Sequence, residues 1–348
     1  MAGNYRPVSL TSVVYKLLEK ITREHIIKHM KVNKLFSNKQ FGFISGRSTS
    51  LQLLEVLDKW TEATDKVPHK KLIRKTKNYM LDNPLLEWSE DFLSGRTQKV
   101  SINRSTSDWK EVTSGITQDS VLGPLVFILF INDLPDGVKS DVYLFADDTK
   151  IVRNITDVED KEILQDDLEN LENWSNTWLL KFHPEKCKHM KIARVEKTDE
   201  FKYKLSGKNI ERVQKEKDIG VTIDSELTFE SHLCEKVNKA TSIFGVLRRA
   251  FRYLDKKLFI PLYKTMVRTQ LDYASSVWAP YKKKHIDVIK NVQKRATKQI
   301  PGIKNLPYEE RLRKLELPTL SYRRLRGDMI EGYKIIQGHY DPEASTIF

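Results

Sequence analysis

Apolar residues recur at helical spacing from the start of the chain. In "SLTSVVYKLLEKITREHIIKHM", Val14, Leu17, Leu18, Ile21 and His25 share one face, with Thr11 or Ser12 as N-cap. "KQFGFISGRSTS", rich in Gly and Ser, predicts a loop or hairpin carrying Arg47, and a helix follows through "LQLLEVLDKW". "NPLLEWSEDFLSGRTQKVSIN" predicts a helix ending near Gly95 and a strand from Gln98 to Ile102. The longest apolar run, "VLGPLVFILFI" (121–131), suits a buried core segment and is too short to span a membrane. After a turn built from Asn, Asp, Pro and Gly, "VYLFADDTKIV" predicts a strand over Val142–Ala146 and a second over Thr149–Val152, with Asp147 and Asp148 at the tip between them. "TDVEDKEILQDDLENLENWSNTWLLKF" predicts a helix. It opens on a capping box from Thr156 to Glu159 and aligns Leu164, Leu168, Leu171, Trp174 and Trp178.

Beyond about 226 the pattern changes from mixed α and β to helices. "LCEKVNKATSIFGVLRRAF" sets Leu233, Val237, Ala240, Phe244 and Leu247 on a buried stripe, with Lys236, Lys239, Arg248 and Arg249 on the other side. "HIDVIKNVQKRATKQI" repeats the scheme with Ile286, Ile289, Val292, Ala296 and Ile300. Charge follows the same division. Of a net +13, all resides between Glu226 and Tyr340, where 24 Lys and Arg face 11 Asp and Glu; the remainder is neutral. A basic lobe on a neutral body suggests a polyanionic partner, although a basic surface also serves solubility. "RRAFR", with Arg252, and "KKKH", with Lys282, Lys283 and Lys284, are the densest clusters.

The apolar fraction of 39% across 348 residues supports real cores, and 6 Trp, 13 Tyr and 14 Phe argue against a disordered chain. The two cysteines, Cys187 and Cys234, do not have metal-ligand spacing. They exclude a disulfide framework or zinc knuckle and set an intracellular, reducing compartment as the expectation, with no membrane partner. The opening "MAGNYRPVSL" has no signal-peptide apolar stretch.

Two ionised carboxylates side by side at a hairpin tip repel one another. A hard divalent cation such as Mg²⁺ removes that repulsion, and two such ions about 4 Å apart activate an attacking hydroxyl and stabilise a leaving oxygen in phosphoryl transfer. Alone, a paired Asp is also ordinary turn chemistry.

The pair does not stand alone. Read in order, "GNYRPVSLTSVVYKLLEKI", "QFGFISGRST", "SGITQDSVLGPLVFILFINDLP", "YLFADDTKI", "WLLKFHPEKCKHM", "KDIGVTIDSELTFESHL", "LDYASSVWAP" and "NVQKRATKQI" resemble the reverse transcriptase of LINE-type (non-LTR) retrotransposons of the jockey-like branch. The resemblance covers residues 3 to about 340. It implies an α+β right-hand polymerase: fingers over 1–60, palm over 61–225 with an antiparallel sheet and the Asp-Asp hairpin, a basic helical thumb and C-terminal region over 226–340, and a tail over 341–348. It also implies RNA-directed DNA synthesis with two Mg²⁺ ions, an RNA template, a DNA primer and deoxynucleotide triphosphates. Residence in the nucleus or in a cytoplasmic ribonucleoprotein follows from the family alone.

Residue by residue, the resemblance makes Asp147 the metal ligand of the hairpin with Asp148 its neighbour. It sets Lys186 near the incoming nucleotide, Gln118 and Ser120 on the loop lining nucleotide and template, and Arg6 and Arg47 at phosphate-holding finger positions. The thumb helices would follow a template–primer duplex by backbone and shape, not by base sequence.

Two departures stand out. The family supplies a third carboxylate from a strand that precedes a motif whose tail matches "DKVPHKKLIRK" (65–75). Here that tail is preceded by "LDKWTEAT", the end of the upstream helix, so the strand is missing and an internal deletion is expected at the Thr64–Asp65 join. Asp65 matches a later aspartate of the motif, and Asp58 belongs to the helix pattern. In "GITQDSVLGP", Thr117 and Asp119 stand where the family has Pro and Gly. Asp119 adds bulk and negative charge where phosphates pass. The expectation is a catalytically impaired reverse transcriptase domain, or a remnant that binds nucleic acid through its basic lobe.

Overall fold

The computed structural model describes residues 13–40, 42–44, 67–99, 101–102, 105–116, 120–193, 201–251 and 253–339. They form two compact units: residues up to Lys188 with 201–211, and residues 189–193 with 212–339.

The first unit is organised around the apolar run. It forms helix α4 (Gly123–Ile131), of which Leu125 to Ile131 are all buried. A helix that is apolar all round has no solvent face and must be enclosed. Each buried Leu, Ile or Phe contributes about 1.5–3 kcal/mol relative to exposure. The helices around it are α1 (Val13–Val32), α2 (His69–Asn78), α3 (Asn83–Leu93) and α5 (Val158–Trp178).

Enclosure leaves the first N–H groups of α4 without water, and two side chains answer them. Glu19 of α1 accepts from Val121 N and Leu122 N at 2.6 and 3.1 Å. Ser120 Oγ accepts from Gly123 N at 2.8 Å. This duty turns α1 away from the expected orientation. Leu17, Leu18 and Ile21 are exposed, while Glu19, Thr22, Ile26 and Met30 face inward.

Helix α2 is tied to the same core by a buried lysine. Lys75 Nζ donates to Phe130 O at 2.6 Å and to the Asp133 carboxylate, and lies 4.5 and 3.8 Å from the ring centroids of Trp174 and Trp178. Burial pulls its pKa down to about 8, against the opposing pull of Asp133. Helix α5 starts one residue later than its expected cap. Asp157 accepts from Asp160 N, and Asp160 accepts in return from Thr156 N. The aligned side packs as the spacing predicts, with Leu171 buried and Trp174 against it.

Strands in this unit are short. Thr97–Gln98 pairs with Lys110–Glu111, and Ser101–Ile102 with Ser105–Thr106, in place of one strand from Gln98 to Ile102. Asp141–Phe145 and Asp148–Val152 form the longest antiparallel pair among the described residues, with Phe145 opposite Asp148. Val142 and Leu144 are buried against Leu134 and Leu171.

The second unit begins with a hairpin, Lys215–Asp218 against Val221–Asp224. Helix α6 (Glu230–Ala250) follows, then α7 (Lys256–Leu262), continued by a π-helical turn over Tyr263–Val267, and the short α8 (Thr269–Asp272) and α9 (Ser275–Trp278). Helices α10 (Lys283–Thr297), α11 (Tyr308–Leu315) and α12 (Leu320–Ile336) complete it. One core joins them, with Phe259, Tyr263, Leu271, Trp278, Ile289 and Ala296 among its buried members. No helix among the described residues is long and apolar enough to cross a membrane.

Candidate active site

The hairpin turns in two residues. Phe145 pairs with Asp148, leaving Ala146 and Asp147 as the loop, so Asp148 is the first residue of the returning strand and not part of the tip. A two-residue loop needs positive φ to match strand twist, and Ala146 supplies it at φ 54°. That conformation costs an L residue roughly 1–2 kcal/mol. Asp147 and Asp148 are both half-buried, side by side on the chain.

What holds the strained turn is the start of the segment predicted as a loop or hairpin. Leu144 N donates to Lys39 O at 2.9 Å, and Gln40 bridges to Leu144 in parallel register. Gln40, fully buried, uses Oε1 to accept from Gly42 N at 2.8 Å. Gly42 then passes so close to the turn that a Cβ there would lie 2.6 Å from Ala146 N. The Gly of "QFGF" was the available signal, since glycine inside an ordered segment marks close backbone approach. Neither Gly42 nor Gln40 was among the expected site residues, and nor was Glu19.

Ser120, expected on the nucleotide side, is buried and commits its hydroxyl to the start of α4. Lys186 is exposed on a turn, its backbone N–H donating to His183 O at 2.9 Å. Arg6, Arg47, Gln118 and Arg252 lie outside the described residues, as do Asp58, Asp65, Thr117, Asp119 and the 64/65 join. The carboxylates of Asp147 and Asp148 have the hard-donor chemistry of a divalent-cation site. Among the described residues, however, no group of three His, Cys, Asp or Glu could hold a metal ion. The two aspartates alone do not make a two-ion set.

Residues 1–210, well over half the chain, match the family "Reverse transcriptase (RNA-dependent DNA polymerase)". The chain belongs to the reverse transcriptase family. Its relatives place it with mobile elements. The chain is 26% identical over 345 residues to the "RNA-directed DNA polymerase from mobile element jockey" of Drosophila melanogaster, covering 90% of this chain and 37% of that protein. Similarity to the "Probable RNA-directed DNA polymerase from transposon X-element" of the same fly is 25% over 328 residues, covering 86% and 36%. For the "Probable RNA-directed DNA polymerase from transposon BS" it is 30% over 261 residues, covering 66% and 28%. The chain therefore spans between 28% and 37% of the length of these relatives. It is a reverse transcriptase domain of the non-LTR retrotransposon type, a family with the right-hand polymerase fold.

In this reverse transcriptase domain the expected basic contacts divide sharply. Lys236 is buried, contrary to the expectation of an outward face, and its ammonium lies 5.8 Å from the Tyr273 ring centroid. It faces inward because positions 233, 236, 240 and 247 share the buried side of α6. Lys239, Arg248 and Arg249 are exposed. In the "KKKH" cluster, Lys282 and Lys284 lie 3.6 and 3.2 Å from Glu230, and His285 lies 3.1 Å from the same carboxylate. The hydrogen bond and charge of Lys284 lead in holding the Glu230 carboxyl below its usual range. Lys283 is exposed.

Proposed function

We propose that the domain descends from an RNA-directed DNA polymerase whose two-ion site is incomplete, so that templated synthesis is impaired. Its fingers, palm and thumb would occupy 1–60, 61–225 and 226–340. Reverse transcriptases generally use divalent ions such as Mg²⁺. In this chain Asp147 and Asp148 would hold them, with Arg6, Arg47 and Lys186 toward phosphates and the incoming deoxynucleotide. The partners of the intact activity are an RNA template and a DNA primer.

The observation that carries the impairment is the join at Thr64–Asp65, where the strand bearing a third carboxylate is absent from the sequence. The alignment lengths fit a chain that is shortened relative to the jockey protein. A match over 345 positions that covers 90% of 348 residues uses about 313 of them, so some thirty positions of the jockey protein have no counterpart here. Two adjacent carboxylates on one hairpin reach a pair of ions from one side only, and the mutual repulsion of the aspartates is then incompletely relieved. The exposed Lys239, Arg248 and Arg249 favour nucleic-acid binding as the capacity that remains.

Primer extension by the purified chain on an RNA template with a DNA primer, with and without Mg²⁺, tests this. The expected result is no extension above that of an Asp147→Asn/Asp148→Asn control. Mg²⁺-dependent extension abolished by that control would overturn the impairment and require a third ligand, with Asp58 the first to examine.

A further inference from the structure

The second unit holds a basic groove of about 550 Å³ that none of the expected contacts line. Three of its residues, Lys290, Lys294 and Lys298, recur every four positions along α10 and its C-terminal edge, and Lys304 joins them from the following loop. Among the described residues, none of these four forms an ion pair, in contrast to Lys282 and Lys284. Like charges at i and i+4 on a helix repel, so the row is unfavourable until an anion lies along it. Glu309 is the single acidic residue lining the groove.

A second observation points to the same ligand. Arg311 also lines the groove and is 3% exposed. Its guanidinium donates to Lys294 O at 3.2 Å and to Lys304 O and Leu306 O at 3.4 Å, clamping the loop that carries Lys304 to α10. Its Nε is buried with no hydrogen-bond partner among the described residues. A buried, charged donor without a partner is costly, and no carboxylate pairs with Arg311 among the described residues, so it adds uncompensated positive charge beneath the groove. One wall is aromatic: the Tyr308 ring lies 5.4 Å from Lys290 Nζ and 5.9 Å from the Arg311 guanidinium carbon.

We propose that this groove binds the sugar–phosphate backbone of an RNA strand, outside the palm and apart from the Arg248–Arg249 face. The row from Lys290 to Lys298 spans about 12 Å, and Lys304 adds a fourth cation beside it, so the groove suits a ligand with several successive phosphates. A phosphopeptide, with one or two phosphates, leaves most of the row uncompensated. The inference rests on the nucleic-acid part of the proposed function and is independent of polymerase chemistry.

The test is fluorescence anisotropy of a labelled single-stranded RNA against the full chain across a monovalent-salt series. Lys290→Gln/Lys294→Gln/Lys298→Gln is expected to flatten the slope of log K against log salt by about 2 to 3, at about 0.7–0.9 for each phosphate no longer neutralised. An unchanged slope with a normally folded variant overturns the groove. Absence of any RNA binding by the unaltered chain overturns the wider nucleic-acid reading with it. Amine footprinting of the unaltered chain removes dependence on the variant's folding. RNA is expected to slow acetylation of Lys290, Lys294, Lys298 and Lys304 relative to Lys70. Equal rates, or protection by a phosphoserine peptide and not by RNA, overturn the proposal.

Discussion

At the scale of single residues, the decisive one for the hairpin is Gly42, which has no chemistry of its own. A methyl group there would meet a backbone nitrogen at 2.6 Å, and the backbone cannot rotate aside as a side chain can. Gly42→Ala is expected to destabilise the first unit by about 1–3 kcal/mol and to shift the denaturation midpoint downward. A midpoint equal to that of the parent would mean that the segment over 39–42 does not hold the turn. The paired aspartates were legible because two like charges between apolar strands are chemically conspicuous. Gly42, Glu19 and Lys75 were not, because each is defined by what reaches it from a distant part of the chain. Lys236 shows the same limit: a lysine on a helix reads as solvent-facing, yet this one is buried beside an aromatic ring.

At the scale of elements, period located α1, α3, α5, α6 and α10 but did not mark α2, α7, α11 or α12, and it chose faces less well than positions. The apolar stripes of α6 and α10 are the sides that the second unit buries, with His232, Lys236, Gln293 and Thr297 buried beside them. In α1 a carboxylate competes. Capping two enclosed N–H groups is worth more than burying Leu17 or Ile21, and that need is invisible until α4 is known to start beside Glu19. Helix α6 carries a testable case of its own. His232 is fully buried; its Nδ1 accepts from Thr222 N at 3.0 Å, and its ring packs on Trp278 at 5.1 Å. Burial first, and then the charge of Lys236, push its pKa down to about 4. The unfolded chain takes up this proton near pH 6.5 while the folded chain refuses it until about pH 4, so stability is intact above pH 6.5 and falls as pH drops toward 4. The loss is on the order of 3 kcal/mol. Urea midpoints at pH 7.5 and 4.5 measure it, and His232→Phe is expected to shrink the difference between them. An undiminished difference would place the acid sensitivity elsewhere.

At the scale of the whole molecule, the sequence separates two kinds of charge: the paired aspartates near the middle, to which the proposed function gives the metal ions, and the cations gathered after residue 226. These have different ionic dependences, and the difference can be measured on one sample. Lys and Arg hold phosphates by displacing monovalent counterions, a process that needs no divalent ion and weakens steeply with salt. Contacts made through Asp147 and Asp148 would need a divalent cation, since bare carboxylates repel phosphate. If RNA binding belongs to the basic unit, chelation of divalent ions at constant ionic strength should leave the affinity within about twofold, while raising monovalent salt from about 50 to 200 mM lowers it by orders of magnitude. A tenfold or larger drop on chelation alone would transfer the binding to the hairpin. It would also imply that the palm still closes around an ion, and with it that the third ligand survives.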